Sequence, residues 1–404
     1  MLTQLPIPPG SPVRHFKTWI VCLLLVGFLG FATGCSRFQP KPKEYVYLWL
    51  RQVYLRDRVA AVSTRVAEVT NGQRLEVVEH GRRFLKVKTE KGEIGWLPER
   101  SVIDSATYDA FAKLADANKD SAVVATATLR DDLYLHLTPG RDTDRFYLVA
   151  GNSKVQLMQR ASVSKNPPPG TLPAPKTATP QAGASTAKPA SKSAPRPAAA
   201  PTEQLPGEPA PPTVVMEDWW LIRDAKGHVG WLLGNRLDVD APDDIAQYAE
   251  GQRIVGAYVI AKVNDPESTA ADHMALEYVT ALSPPQSGLP FDFDQIRVFT
   301  WNVKRHRYET AFRLRGIQGY LPMRFSTQAV PGGTAPVFSF QIASSPNVTI
   351  DPATGVARPA NPRTLSFALR DTIVRRVGPD LAPIPVNRSG EEKDSKKPAA
   401  KKRR

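Results

Sequence analysis

The sequence predicts a mostly β protein, in which two copies of a small antiparallel β-barrel are followed by a β-rich domain of sandwich type. Short segments alternate apolar and polar residues and are separated by Gly-containing turns, which is typical of small barrels and sandwiches. One motif, Gly-x-φ-Gly-Trp-Leu with φ apolar, occurs at residues 92–97 and again at 227–232. Residues 252–380 contain further strand-like segments but no copy of that motif.

Residues 1–34 are expected to be a secretory signal rather than part of the fold. A basic segment with Arg14 and Lys17 precedes the apolar run 19–31, and the small residues 32–34 follow it. This is the order of a cleavable signal peptide. The run is also shorter than the roughly 20 apolar residues that a membrane-spanning helix needs.

Cys35 comes directly after the small residues, and the segment resembles a bacterial lipobox, although Ala32 stands where that motif usually has leucine. The resemblance implies that Cys35 is lipidated and that residues 35–44 tether the chain to a membrane. By the sorting rule of diderm bacteria, Ser36 favours the outer membrane, so the chain is expected in the cell envelope, facing the periplasm. The alternatives are an uncleaved signal anchor and an ordinary signal peptide with an incidental cysteine.

Most of the formal net charge of +14 lies outside the segments that are expected to fold. Residues 1–43 contribute +5, residues 162–213 contribute +3 and residues 386–404 contribute +5. A nucleic-acid-binding domain carries its basic patch on a folded face, so no nucleic-acid partner is expected. The basic segments either solvate the chain or attract it to an anionic surface, such as phospholipid or cell-wall polymer.

Residues 45–104 contain three segments that resemble the bacterial SH3-like (SH3b) domain. They are an opening strand at 53–56 (VYLR), a middle strand at 72–77 (GQRLEV) and a closing hairpin at 92–97 (GEIGWL). The resemblance implies a small barrel that engages peptidoglycan or a protein partner. Residues 57–61 (DRVAA) depart from the Ser/Gly-Pro that usually follows the opening strand, so the loop on the ligand side is expected to be atypical.

A second, scattered copy of this barrel is predicted over residues 121–240. Its matches to the first copy are 129–131 (LRD) with 55–57, 151–158 with 71–78 at an offset of 80, 219–223 with 84–88, and Trp231 with Trp96 at an offset of 135. The offset changes across residues 162–213, which are rich in Pro, Ala, Ser and Lys. Such a composition buries too little apolar surface to fold. It is therefore expected to be a disordered insertion in a hairpin loop of the second barrel, which loop-closure entropy tolerates.

The tryptophans are the candidate ligand contacts. Trp96 and Trp231 close the two repeated motifs, where an indole either covers one end of a small core or stacks on a ligand. Trp219 and Trp220 are adjacent, so one is expected to point out of the strand and to be the better candidate for contact.

The remaining segments connect or follow the barrels. A helix is predicted at 106–117 within a connector of residues 105–120, and another at 243–249 within residues 241–251, with Asp104 and Asp240 as N-caps. Residues 252–380 are predicted to form the β-rich domain, with a hairpin turn at 302–307. Residues 381–404 are predicted to be a disordered basic tail.

The sequence contains little that suggests catalysis. Nucleophile-elbow, zinc-protease, phosphate-loop and dinucleotide motifs are absent, and Cys22 lies in the signal, which leaves Cys35 as the single mature cysteine. No cofactor, no metal and no enzymatic activity are expected. The leading hypothesis is a lipid-anchored binding or scaffold protein of the envelope. The alternatives are a structural or assembly subunit of an envelope complex and an enzyme whose site lies in the β-rich domain.

Overall fold

The computed structural model describes residues 42–166, 214–268, 271–331, 333–345 and 347–385. Within these ranges the chain is mostly β, with three seven-stranded antiparallel sheets and one two-stranded sheet. The predicted signal peptide and Cys35 lie outside the described residues, as do residues 167–213 of the predicted insertion and 386–404 of the predicted tail.

The first sheet, which we call the first module, spans residues 45–104. Its strands are β1 (Tyr45–Leu48), β2 (Gln52–Arg56), β3 (Arg65–Thr70), β4 (Arg74–His80), β5 (Phe84–Lys88), β6 (Ile94–Pro98) and β7 (Val102–Asp104). They are ordered β3-β2-β6-β5-β4-β1-β7. Alternate apolar residues such as Val46, Leu48 and Leu55 point into a common core, as the period of a strand requires.

The second sheet, the second module, repeats this order seven strands later in the chain. Its strands are β8 (Ala125–Leu129), β9 (Leu133–His136), β10 (Arg145–Val149), β11 (Lys154–Ser164), β12 (Met216–Arg223), β13 (Val229–Leu233) and β14 (Leu237–Val239). They are ordered β10-β9-β13-β12-β11-β8-β14. Within the described strands, hydrogen bonds close neither sheet into a ring, so the coarser prediction of antiparallel β modules is confirmed without closed barrels.

Strand register aligns the two modules residue by residue. Arg56 pairs with Trp96 in the first module, and His136 pairs with Trp231 in the second. The offset is therefore 80 on β2 and β9 but 135 on β6 and β13. The prediction that matched 129–131 with 55–57 is wrong, because it placed β8 on β2.

The insertion separates two strands that are direct neighbours. β11 pairs with β12 as far as Ser164 and Met216, and Lys165 N donates to Val215 O at 2.8 Å. Residues 167–213 therefore connect two adjacent antiparallel strands, and the paired strands continue past the predicted start of the insertion at residue 162.

Helix α1 (Ser105–Ala117) follows the first module, and α2 (Asp243–Ala246) follows the second. Asp104 caps α1 as predicted, since its carboxylate accepts from Thr107 N at 2.8 Å. Asp240 does not cap α2, whose N-cap is Pro242. The carboxylate of Asp240 instead accepts from the hydroxyls of two threonines on β8, because it still lies beside that strand.

The third module contains the remaining strands. They are β15 (Arg253–Asn264), β16 (Met274–Ser283), β17 (Phe293–Asn302), β18 (Arg307–Val330), β19 (Gly333–Ala343), β20 (Val348–Ile350), β21 (Ala357–Pro359), β22 (Pro362–Arg370) and β23 (Ile373–Val377). β20 pairs only with β21, and the other seven strands form one sheet in chain order. The predicted turn joins β17 to β18, with Asn302 opposite Arg307.

The expected sandwich of two sheets is wrong for this module. Its single sheet curls, so that β15 approaches β19 and β18 approaches β23 around one core. The module also extends beyond residue 380. Arg363 donates to the backbone oxygens of Ala382 and Pro383, and Ile384 packs on the core.

A buried ionic network joins the second and third modules. The Arg160 guanidinium contacts Asp218 on β12 and Asp292 before β17, each at 3.1 Å, and it also donates to the backbone oxygen of Phe291. Arg253 contacts the other oxygen of Asp218 at 3.2 Å. Burial alone would raise the pKa of Asp218, but the charge of Arg160 and the hydrogen bonds to the carboxylate outweigh it and lower that pKa.

We expect that replacing residues 167–213 by a short turn leaves the free energy of unfolding unchanged or raises it by up to about 2 kcal/mol. The reason is that each doubling of loop length costs only about 0.6 kcal/mol, while β11 and β12 keep their pairing. Urea unfolding of the parent and shortened chains measures the change. A loss above about 1 kcal/mol would show that the insertion contributes to the fold.

Candidate ligand groove on the first module

A groove of about 590 Å³ opens on the first module between the loop after β2 and the strands β5 and β6. We call it the Trp96 groove. Its aromatic lining comes from Tyr54, Phe84 and Trp96, all half-buried. A second depression shares Phe84 and Trp96 and adds the turn between β4 and β5, with Arg82 and Arg83. The groove thus lies on the side where the loop that departs from the SH3b pattern was expected.

The loop of residues 57–64 is closed at its base by two hydrogen bonds between its end residues. Thr64 N donates to the Asp57 carboxylate at 2.8 Å, and Asp57 N donates to Thr64 O at 3.1 Å. The bond from Thr64 is the main cause that lowers the pKa of Asp57. Beyond this closure the loop holds Val59 and Val62 in solvent, with 49% and 88% of their surfaces exposed.

The rim of the groove is cationic. Arg56 and Arg58 line the groove, and Arg58 is partly compensated by Asp57 at 3.0 Å. Lys86 lies 5.8 Å from the Trp96 ring centroid, within the range of a cation–π contact. An aromatic floor with a basic rim suits a ligand that presents an apolar or planar group next to an anionic one.

The second glycine of each repeated motif brings two strands together. A Cβ on Gly95 would stand 2.8 Å from the Cβ of Leu55, and a Cβ on Gly230 would stand 2.6 Å from that of Leu135. A side chain at either position would collide with the facing strand. This close approach fixes Trp96 and Trp231 at equivalent positions.

The two tryptophans nevertheless have different surroundings. Trp231 is 2% exposed and packs with Met158, Trp219 and Val356, the last from the third module. His136 takes the place of Arg56 beside it, and burial, with a smaller contribution from the charge of Arg145, lowers the pKa of His136 to about 4. Around Trp231 the second module is therefore packed with side chains and holds the neutral imidazole of His136. The first module has an open groove and the cation of Arg56 at the same place.

The expectation that Trp219 or Trp220 faces solvent is wrong. Their side chains point to opposite sides of β12, but both are buried, at 2% and 6% exposure. Trp219 packs beside Trp231, and Trp220 packs in the core of the second module. Trp220 also lines a cleft of about 440 Å³ between the second and third modules, together with Arg160 and Tyr320.

The described residues hold no group of three or more His, Cys, Asp or Glu side chains that would bind a metal. No helix among residues 42–166, 214–268, 271–331, 333–345 and 347–385 is both long and apolar enough to cross a membrane. The sequence pointed to Trp96 but not to Phe84, Arg82 or Arg83. The adjacent arginines after Gly81 were the available signal.

No family model matches the chain, and no curated protein sequence matches it. Among solved structures it is similar to NlpC2 and NlpC1 from Trichomonas vaginalis, each at 9% identity with a TM-score of 0.15. These alignments cover 58% and 59% of this chain and span only about three fifths of those proteins, 62% and 60%. It is also similar to an NlpC/P60 family protein from Bacillus cereus, at 10% identity and a TM-score of 0.20, over 69% of this chain and 100% of that one. Likenesses at these TM-scores carry no argument about fold or activity.

The two motif tryptophans should differ in their contribution to stability. We expect Trp231→Ala to lower the free energy of unfolding by about 3–5 kcal/mol, because it leaves a cavity in a packed cluster. Trp96→Ala should cost less than half as much, since solvent already reaches that indole. Urea unfolding at neutral pH compares the two variants, and equal losses would show that Trp96 is also a core residue.

Proposed function

We propose that this chain is a non-catalytic, lipid-anchored binding or scaffold protein of the bacterial cell envelope, built on two SH3-like modules. Lipidated Cys35 and residues 35–44 hold it on the periplasmic face of the outer membrane. The first module binds, and the second and third form its support. The resemblance of residues 45–104 to SH3b domains supports this assignment, as does the strand order shared by both modules.

The observation that carries the proposal is the contrast at the repeated motif. The same strand position holds Trp96 in an open, cation-rimmed groove and Trp231 in a sealed cluster. An indole that served only to pack a core would be covered, as Trp231 is, and would not lie in an open groove with two further aromatic rings. The Trp96 groove is therefore the part of the protein that meets a ligand, either peptidoglycan or a segment of a partner protein.

A structural or assembly subunit is the second candidate. The buried network of Arg160, Asp218 and Asp292 docks the third module on the second. Breaking a buried ion pair by removing one partner typically costs several kcal/mol, so this network favours a fixed arrangement of the two modules. Such a unit suits a component that holds a fixed geometry within a larger assembly.

Co-sedimentation with purified sacculi across a salt series tests the binding function. Basic segments give attachment that salt removes, whereas apolar contacts in the Trp96 groove persist. We expect salt-resistant binding that Trp96→Ala abolishes and that Ile373→Ala, a matched change at an exposed residue of the third module, leaves unchanged. The membrane-extracted protein should also carry the mass of a diacylglyceryl group on Cys35.

Binding that disappears entirely in salt would mean that the groove recognises no wall component, and the structural role would then be favoured. An unmodified mature N-terminus at another residue would contradict the lipid anchor.

A further inference from the structure

Three apolar residues that are exposed in the first module correspond to residues that are buried in the second. Register aligns Val66 with Phe146 and Val78 with Met158 at an offset of 80, and Ile94 with Val229 at an offset of 135. The exposed fractions in the first module are 42%, 52% and 45%, and those in the second are 0%, 6% and 2%. The second module therefore has a cover that the first module lacks.

Helix α1 supplies much of that cover. Phe111 of α1 contacts the ring of Phe146 at a centroid distance of 5.9 Å. One turn further along the helix, Leu114 packs on the cluster that contains Met158 and Val229. Phe111 and Leu114, at i and i+3, thus contact the two apolar clusters of the second module, Phe111 the one that contains Phe146 and Leu114 the one that contains Met158 and Val229.

A cation holds the end of the same helix. Arg223 on β12 donates to the backbone oxygens of Asn118 and Lys119, at 2.6 and 2.9 Å, just beyond the C-terminus of α1. In the first module this position is Lys88, which pairs with Ile94 as Arg223 pairs with Val229. Among the described residues the Lys88 ammonium makes no ion pair, so it is free to contact the carbonyl end of a helix.

We propose that the surface that carries the exposed Val66, Val78 and Ile94, with Lys88 paired to Ile94, docks an amphipathic helix of a partner protein. We call it the open face. The docked helix presents an aromatic residue and a leucine three positions apart, as Phe111 and Leu114 do, and it ends near Lys88. This inference rests on the proposed binding function. Of the two ligands named there, it assigns the partner protein to a face beside the Trp96 groove.

The segments outside the described residues do not match this pattern by sequence. Cleavage before Cys35 would leave residues 35–41 ahead of the described chain, and seven residues make less than two turns of helix. Residues 167–213 and 386–404 contain no aromatic residue, so neither sequence supplies the aromatic–leucine pair, and residues 386–404 are basic like Lys88. In a second copy α1 is already packed on its own second module. The occupant that we propose is therefore a helix of another protein.

A synthetic peptide with the sequence of residues 104–121 serves as the probe, because it reproduces the helix that covers the equivalent face. Its binding to residues 36–404, the predicted mature chain without Cys35 and its lipid, is measured by fluorescence anisotropy of a labelled peptide. This chain keeps every described residue. We expect saturable binding that is lost when the peptide carries alanine at the positions of Phe111 and Leu114.

Variants of the protein locate the site. Ile94→Asp should weaken peptide binding at least about tenfold, and Lys88→Glu should weaken it several-fold, whereas Ile350→Asp, at an exposed residue of the third module, should leave it unchanged. Urea unfolding checks that each variant is folded, and Val78→Asp replaces any that is not. Absence of saturable binding, or binding that these changes do not affect, overturns the open face. Neither result would change the expected sacculus binding or the expected lipid on Cys35. Failure of this inference is therefore distinct from failure of the proposed function.

Discussion

The contact between strands β2 and β6 at Gly95, repeated between β9 and β13 at Gly230, sets the geometry on which the rest of the molecule depends. Hydrogen atoms replace side chains there, so each closing strand crosses its partner at a distance that a Cβ would not allow. The tryptophan that follows each glycine is thereby fixed on the outer side of its module. The two modules differ chiefly in which parts of the chain cover that tryptophan.

In the second module the cover is complete. α1, the extended strands β11 and β12, and Val356 of the third module bury Trp231, and the ionic network around Arg160 holds the third module in place. The second module has therefore become an internal support. The first module has the same strand order, but among the described residues no helix covers its exposed Val78 and Ile94, so its apolar and cationic groups remain available.

Much of this architecture could be predicted from the sequence because it depends on local signals. Turn glycines and alternation indicated the strands, and the change of offset between residues 158 and 219 indicated that one hairpin of the second module is interrupted. The N-cap at Asp104 could be predicted because its carboxylate accepts from a backbone N–H only three residues away. The match of 129–131 with 55–57 failed because a three-residue identity outweighed the strand spacing.

The remaining features depend on tertiary contacts that local pattern does not encode. Alternation correctly put Trp219 and Trp220 on opposite sides of a strand, but it does not show that both sides are covered. The curl of the third module and the counter-charges of Arg160 likewise involve residues more than forty positions apart. The groove itself combines the loop after β2 with strands β2, β5 and β6, and of its three aromatic residues only Trp96 was singled out by the sequence as a candidate contact.

The central claim is that one strand face is open in the first module and sealed in the second. Hydroxyl-radical labelling of the native chain, read at each tryptophan by mass spectrometry, measures solvent access to both faces in one sample. Trp96 should be oxidised several times faster than Trp231, and Ile94 faster than Val229, with both differences lost on unfolding in urea. Equal oxidation of Trp96 and Trp231 in the native protein would contradict the account.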